Sequence, residues 1–160
     1  MSYRLHVFLR SREPVTRHAI AGFIKDGVFF NGSVSVEPPP SLPQSREPGW
    51  DAMLIRYDIR KRPIVVRRVA APDAVDDEVS DVLAWIEAAP PSQRLTDSAQ
   101  KIAQTRQVLS FEVDRQELPE EAWHMLDALE AWLAQSHHGL IWAEDEGIFD
   151  ENLQPLLRRT

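Results

Sequence analysis

An α+β fold, with a mixed or antiparallel sheet and helices packed on it, is the class this sequence predicts. Three observations lead there. Short apolar stretches of period two are interleaved with longer stretches of helical period. Tight-turn signals, such as Asp58-Ile59-Arg60-Lys61 and Asp145-Glu146-Gly147, join strand-like stretches directly, as antiparallel hairpins require. Strict strand–helix alternation of the doubly wound kind is missing. The architecture expected is a ferredoxin-like sandwich, with strand–helix–strand units at 3–36 and again at 108–143.

The elements follow from local pattern. Leu5, Val7 and Leu9 alternate with His6, Phe8 and Arg10, which predicts a strand. Thr16 is placed as the N-cap of a helix whose apolar face is Ala19, Ile20, Phe23 and Ile24, with Gly27 as its stop. Val28-Phe29-Phe30 predicts the start of a second strand, with Asn31-Gly32 as either a tight turn between two short strands or, the favoured reading, a bulge in one long strand ending near Val36. Five prolines between Glu37 and Gly49 predict an exposed extended loop over 37–49.

Residues 50–69 read as an antiparallel hairpin. Val75, Val79, Val82, Leu83 and Ile86 recur at helical spacing after Asp73, taken as the cap, and Pro90-Pro91 ends that helix. A short helix is expected over Asp97 to Gln104 and a strand over Val108 to Val113. Pro119 opens a long helix with Ala122, Leu126, Leu129 and Leu133 on one face, closed by Gly139. Short strands at Leu140 to Ala143 and from Gly147 follow, and the tail from Leu153 to Thr160 shows only weak amphipathic character.

Composition narrows the function. A chain of 160 residues suits one domain, 1–160, with half-units of about 1–70 and 71–160, and can bury a core without metal or disulfide staples. The absence of cysteine removes disulfides, thiolate metal sites and thiol nucleophiles, and suits a reducing compartment. Arg4, His6, Arg10 and Arg12 interrupt the first apolar stretch, and no run approaches a membrane span, so a cytoplasmic protein without membrane contact is expected. The net charge of −7 divides unevenly. Residues 1–70 carry 12 Lys and Arg against 6 Asp and Glu; residues 71–160 carry 6 against 19. Such a division serves either mutual attraction of the halves or an acidic face for a partner.

No glycine-rich phosphate loop, nucleophile elbow or helical zinc motif is present, and no cofactor is implied. His137, His138, Glu144 and Glu146 are the metal-ligating candidates, with Asp150 nearby. Their spacing is poor, because adjacent histidines at a helix end point apart, and a dipole-complementing helix terminus before an acidic turn explains them better. His6 and His18 have the chemistry of a general base but no nucleophile announced beside them.

Arg56, Arg60, Lys61, Arg62, Arg67 and Arg68 form a basic hairpin able to grip phosphates. The acidic chain and the absence of a nucleic-acid motif speak against that use. Trp50, directly after the proline loop, is the tryptophan expected at the surface, as an interaction residue beside that hairpin.

No catalytic residue stands out. The function expected is that of a non-enzymatic protein-binding or regulatory, immunity-type protein whose partner is another protein or a second copy. An enzyme or small-ligand binder with an unannounced cleft is the alternative, and nucleic-acid binding through 56–68 the second alternative.

Overall fold

The computed structural model describes residues 2–158. Its strands are β1 (Ser2–Leu9), β2 (Ser35–Glu37), β3 (Ala52–Arg56), β4 (Ile64–Val69), β5 (Gln107–Asp114), β6 (Gly139–Ala143), β7 (Gly147–Phe149) and β8 (Pro155–Arg158). The helices are α1 (Arg17–Gly27), α2 (Pro72–Glu87), α3 (Gln93–Ala103) and α4 (Glu120–His137). The strands form one eight-stranded sheet in the order β2-β3-β4-β5-β1-β6-β7-β8. Every neighbouring pair is antiparallel. The α+β class with an antiparallel sheet is thus observed, in a sheet larger than a ferredoxin-like sandwich holds.

Strand alternation sends β1 side chains to two separate cores. Tyr3, Leu5, Val7 and Leu9 pack with Ile20 and Ile24 of α1 and with Met125, Leu126, Leu129 and Leu133 of α4. Phe8 points the other way, to Val75, Val79, Val82 and Ile86 of α2 and Leu95 and Ile102 of α3. Helices therefore cover both faces of the sheet. This is why His6 and Phe8, on the face of β1 opposite Leu5, Val7 and Leu9, are buried as well.

The two strand–helix–strand units are not equivalent. β5 and β6, joined by α4, flank β1 as a split unit, whereas three strands separate β1 from β2.

Thr16 caps α1 as expected, accepting from Ala19 N at 3.1 Å. The helix ends at Gly27, but the left-handed residue is Val28, at φ 48°. The expected strand over Val28–Phe30 does not form. Phe29 packs on Phe23, and Phe30 is buried and stacked on Tyr57, with ring centroids 6.0 Å apart. Core filling overrides the β-propensity of these aromatics, and β2 is only Ser35–Glu37, without the bulge. The loop over 37–49 is mostly exposed as expected, with one 3-10 turn at Pro43–Arg46 around the buried Ser45.

Pro72 begins α2 after Ala71, so Asp73 lies in the first turn rather than at the cap. The short helix starts four residues earlier than expected, because the Ser92 side chain accepts from Leu95 N at 3.2 Å. Gly139 does not close α4. His138 takes the left-handed position at φ 57°. Gly139 already belongs to β6, where a Cβ would stand 2.7 Å from the Phe8 carbonyl oxygen.

The tail is ordered into β8, paired with β7, as far as Arg158; Arg159 and Thr160 lie outside the described residues. No helix among the described residues is long and apolar enough to cross a membrane.

Candidate functional site: an acidic pocket under the fourth helix

Trp123, Asp127 and Glu130 are spaced i, i+4, i+7 and so share one face of α4. That face runs from the exposed Asp127 and half-buried Trp123 at the rim to the buried Glu130. It leans over the sheet where β1, β6 and β7 meet, and encloses a cavity of about 360 Å³. Tyr3 and Leu5 of β1, Ile141 and Ala143 of β6, Glu146 of the β6–β7 turn, Phe149 and Leu153 complete the lining.

Glu130 is 3% exposed, and its Oε1 has no hydrogen-bond partner. Burial holds its carboxyl well above the usual range, and Asp127 and Glu146 push it further. Asp127 is raised the same way, by partial burial and then by Glu146. Tyr3 lies opposite with its hydroxyl also unpartnered, and burial raises its pKa too. Its ring meets Trp123 edge-on, with centroids 5.9 Å apart.

One cation is at hand. Arg115 lies with its Cζ 4.6 Å from the Tyr3 ring centroid, and its terminal nitrogens reach Glu146 at 3.4 Å and Asp145 at 3.6 Å. It thus serves the turn carboxylates, and Glu130 remains unpaired. Chemically, the pocket is a small aromatic-walled space lined by three carboxyl groups, with that of Glu130 at its base.

A second constellation lies across the sheet. His6 is 4% exposed and stacks on Trp142, with centroids 5.1 Å apart. Its Nε2 is 2.7 Å from Glu144 Oε1 and its Nδ1 is 2.9 Å from Ser110 Oγ. Glu78 of α2 stands 3.9 Å from Nδ1. With Glu144 accepting from Nε2–H, Nδ1 is left to accept from the Ser110 hydroxyl.

The residues singled out from sequence fall elsewhere or apart. Trp50 is buried rather than exposed, and its indole N–H donates to the Val15 carbonyl at 2.7 Å. Arg56 pairs with Glu37 at 2.7 Å. Arg60 pairs with Asp58 at 3.0 Å and holds that carboxyl down to about 2. Lys61 Nζ donates to the Glu117 carbonyl at 2.9 Å, while Arg62 and Arg67 are exposed.

Arg68 turns to the opposite face from Arg67, as alternation requires, and donates to Gln107 Oε1 and the Pro48 carbonyl. Gln107 is itself buried and ties the segment before α1 to β5 through Val15 N and the Glu13 carbonyl.

The metal candidates do not converge. His137 is buried, and that burial lowers its basicity; His138 is exposed; Glu144 serves His6; and Glu146 serves Arg115. Among the described residues no group of three His, Asp or Glu is placed to hold a metal ion.

No family model matches the chain, and neither does any curated protein or solved structure.

Proposed function

We propose that this chain is a non-enzymatic protein-binding protein, regulatory or immunity-type in role, that receives a basic partner on the face formed by α4 and the β6–β7 turn. The observation that carries this reading is where the opposite charges lie in the sheet. The basic hairpin of β3 and β4 lies toward one end, and Arg56 and Arg60 are paired with acids of their own half. The acids of α4 and of the β6–β7 turn lie beyond β5, over β1, β6 and β7, around a pocket with a buried carboxylate. Charge kept apart in this way steers association with an oppositely charged surface. We read β5, α4 and β6 around β1 as the ferredoxin-like part of the architecture, and place the protein in the cytoplasm on its lack of cysteine.

The test is affinity capture at about 0.15 M and about 1 M salt, where screening lengths are about 8 and 3 Å. The expected result is a Lys- and Arg-rich partner retained at low salt, released at high salt, and lost from the double variant Glu120→Gln, Glu121→Gln. A chain that retains nothing at either salt removes the reading.

A second reading, a hydrolytic enzyme, is favoured by the Ser110–His6–Glu144 chain. A hydroxyl bonded to an imidazole that is in turn held by a carboxylate is the order of groups that activates a nucleophile. Under this reading the wild type turns over an activated ester such as 4-nitrophenyl acetate, and Ser110→Ala abolishes turnover. Equal rates in the two proteins dismiss it.

A further inference from the structure

We infer that the pocket between α4, β1 and the β6–β7 turn binds one alkylammonium or alkylguanidinium group, seated on the Glu130 carboxylate against the aromatic wall formed by Tyr3 and Trp123. That this group is a Lys or Arg side chain of a protein partner rests on the protein-binding reading above.

The first support is the state of Glu130. Folded proteins pair or hydrogen-bond their buried ionisable groups, because an unpaired one is costly. Glu130 is 3% exposed and its Oε1 has no partner, yet it lines an opening rather than a sealed void. The Tyr3 hydroxyl, also buried and unpartnered, lines the same space. Two unsatisfied polar groups on the walls of one cavity define a shape that a donor-bearing ligand completes.

Size and sign choose the ligand. The volume of about 360 Å³ is at the lower end of ligand sites, about 300–1,000 Å³. It suits one small molecule or one long side chain. The ionisable groups facing Glu130 are Asp127 on its own helix, Tyr3 from β1 and Glu146 from the turn, so the lining offers negative charge and no cation of its own. An anion is excluded by that lining. A neutral apolar guest leaves both polar groups bare.

A cation with N–H donors satisfies them, and an aromatic wall attracts it wherever a ring face is presented. Arg115 shows this chemistry at the rim, where a guanidinium already lies on the Tyr3 ring and against Glu146.

The experiment titrates the whole protein with n-butylguanidinium and n-butylammonium chloride. n-Butanol serves as the neutral control, and a short uncharged peptide carrying one arginine as the tethered form. The readout is the tryptophan indole N–H resonances by NMR. The expected result is a saturable shift of the Trp123 resonance with the two cations and none with butanol. Glu130→Gln weakens the affinity by about tenfold or more, with the other four indole signals in place as proof of folding. Arg115→Gln, which removes the competing guanidinium, leaves binding intact or strengthens it.

Binding of the arginine peptide identifies the source as a protein side chain. Binding of the free cations without the peptide identifies a small organic cation. Equal shifts with butanol, or unchanged affinity in Glu130→Gln, overturn the inference. The protein-binding reading is judged separately. A basic partner captured equally by wild type and Glu130→Gln leaves that reading standing and removes the pocket as its anchor. Cation binding with no partner captured does the reverse.

Discussion

Gly147→Ala is expected to detach β8 and lower the unfolding free energy by about 3 kcal/mol or more. Gly147 sits at φ 144°, a conformation that side-chain-bearing residues rarely adopt. A Cβ built there stands 2.0 Å from the Leu157 carbonyl oxygen and 3.0 Å from the Arg158 Cα. Both are backbone atoms of the neighbouring strand, so no rotamer change relieves the clash, and β7 and β8 must part.

The loss spreads, because Leu156 and Leu157 of β8 pack against the core beneath α2 and α3. For a chain of this length the melting temperature should fall by roughly 6–12 °C. Hydrogen exchange of the 156–158 amides should rise before that of β5. Gly32→Ala, where a Cβ has nothing within 4 Å, is the control and should change little. A melting temperature within about 2 °C of wild type, with 156–158 still protected, would show that the β7–β8 pairing tolerates a side chain at this position.

What could be read in advance divides along sequence distance. The central strands β1 and β5, the Thr16 cap, the valine face of α2 and the leucine face of α4 each declare themselves within one or two turns of chain. β8 does not. It is four residues long, begins with proline and is an edge strand, so its pattern is too short to register. Val28-Phe29-Phe30 misleads in the opposite direction. Its propensity is that of a strand, but its rings are used to fill the space beside α1. Trp50 was expected outside because it follows the proline loop; a partner 35 residues away, the Val15 carbonyl, satisfies its N–H and allows burial.

The acidic pocket was half legible. Leu126, Leu129, Leu133 and Ala134 surround Glu130 at helical spacing, so a carboxylate among them is marked as inward-facing by the sequence itself. Reading acids as a solvated face hides that signal. Glu146 drew notice for its neighbours in sequence, whereas its use comes from Arg115, 31 residues away. The His6 constellation was out of reach: its partners lie 104 and 138 residues along the chain, and only the register of β1 between β5 and β6 brings them together.

Glu130→Leu is expected to stabilise the protein, and by more as pH rises. The folded-state pKa of Glu130 lies well above its unfolded value. As pH climbs between the two, the unfolded chain gives up its proton while the folded chain still holds it. The native state then binds more protons than the unfolded state, and stability falls with rising pH until the folded carboxyl also ionises. Beyond that point the penalty is constant. Leucine removes it.

At pH 9 the gain should reach about 3 kcal/mol, the scale of an uncompensated buried charge. That is roughly 6–12 °C in melting temperature. At pH 5 the gain should shrink to about 1 kcal/mol or less. Tyr3, raised as well, adds a slope of the same sign only above about pH 10, outside this window. Asp127 adds the same slope within it but is present in both proteins. Melting curves from pH 5 to 9 measure the difference directly, and a gain that does not grow with pH means that Glu130 is compensated within the fold.

The same substitution should abolish cation binding. Greater stability together with lost binding separates a carboxylate kept for a ligand from one kept for the fold, because a residue that only supported the structure would lose both or neither.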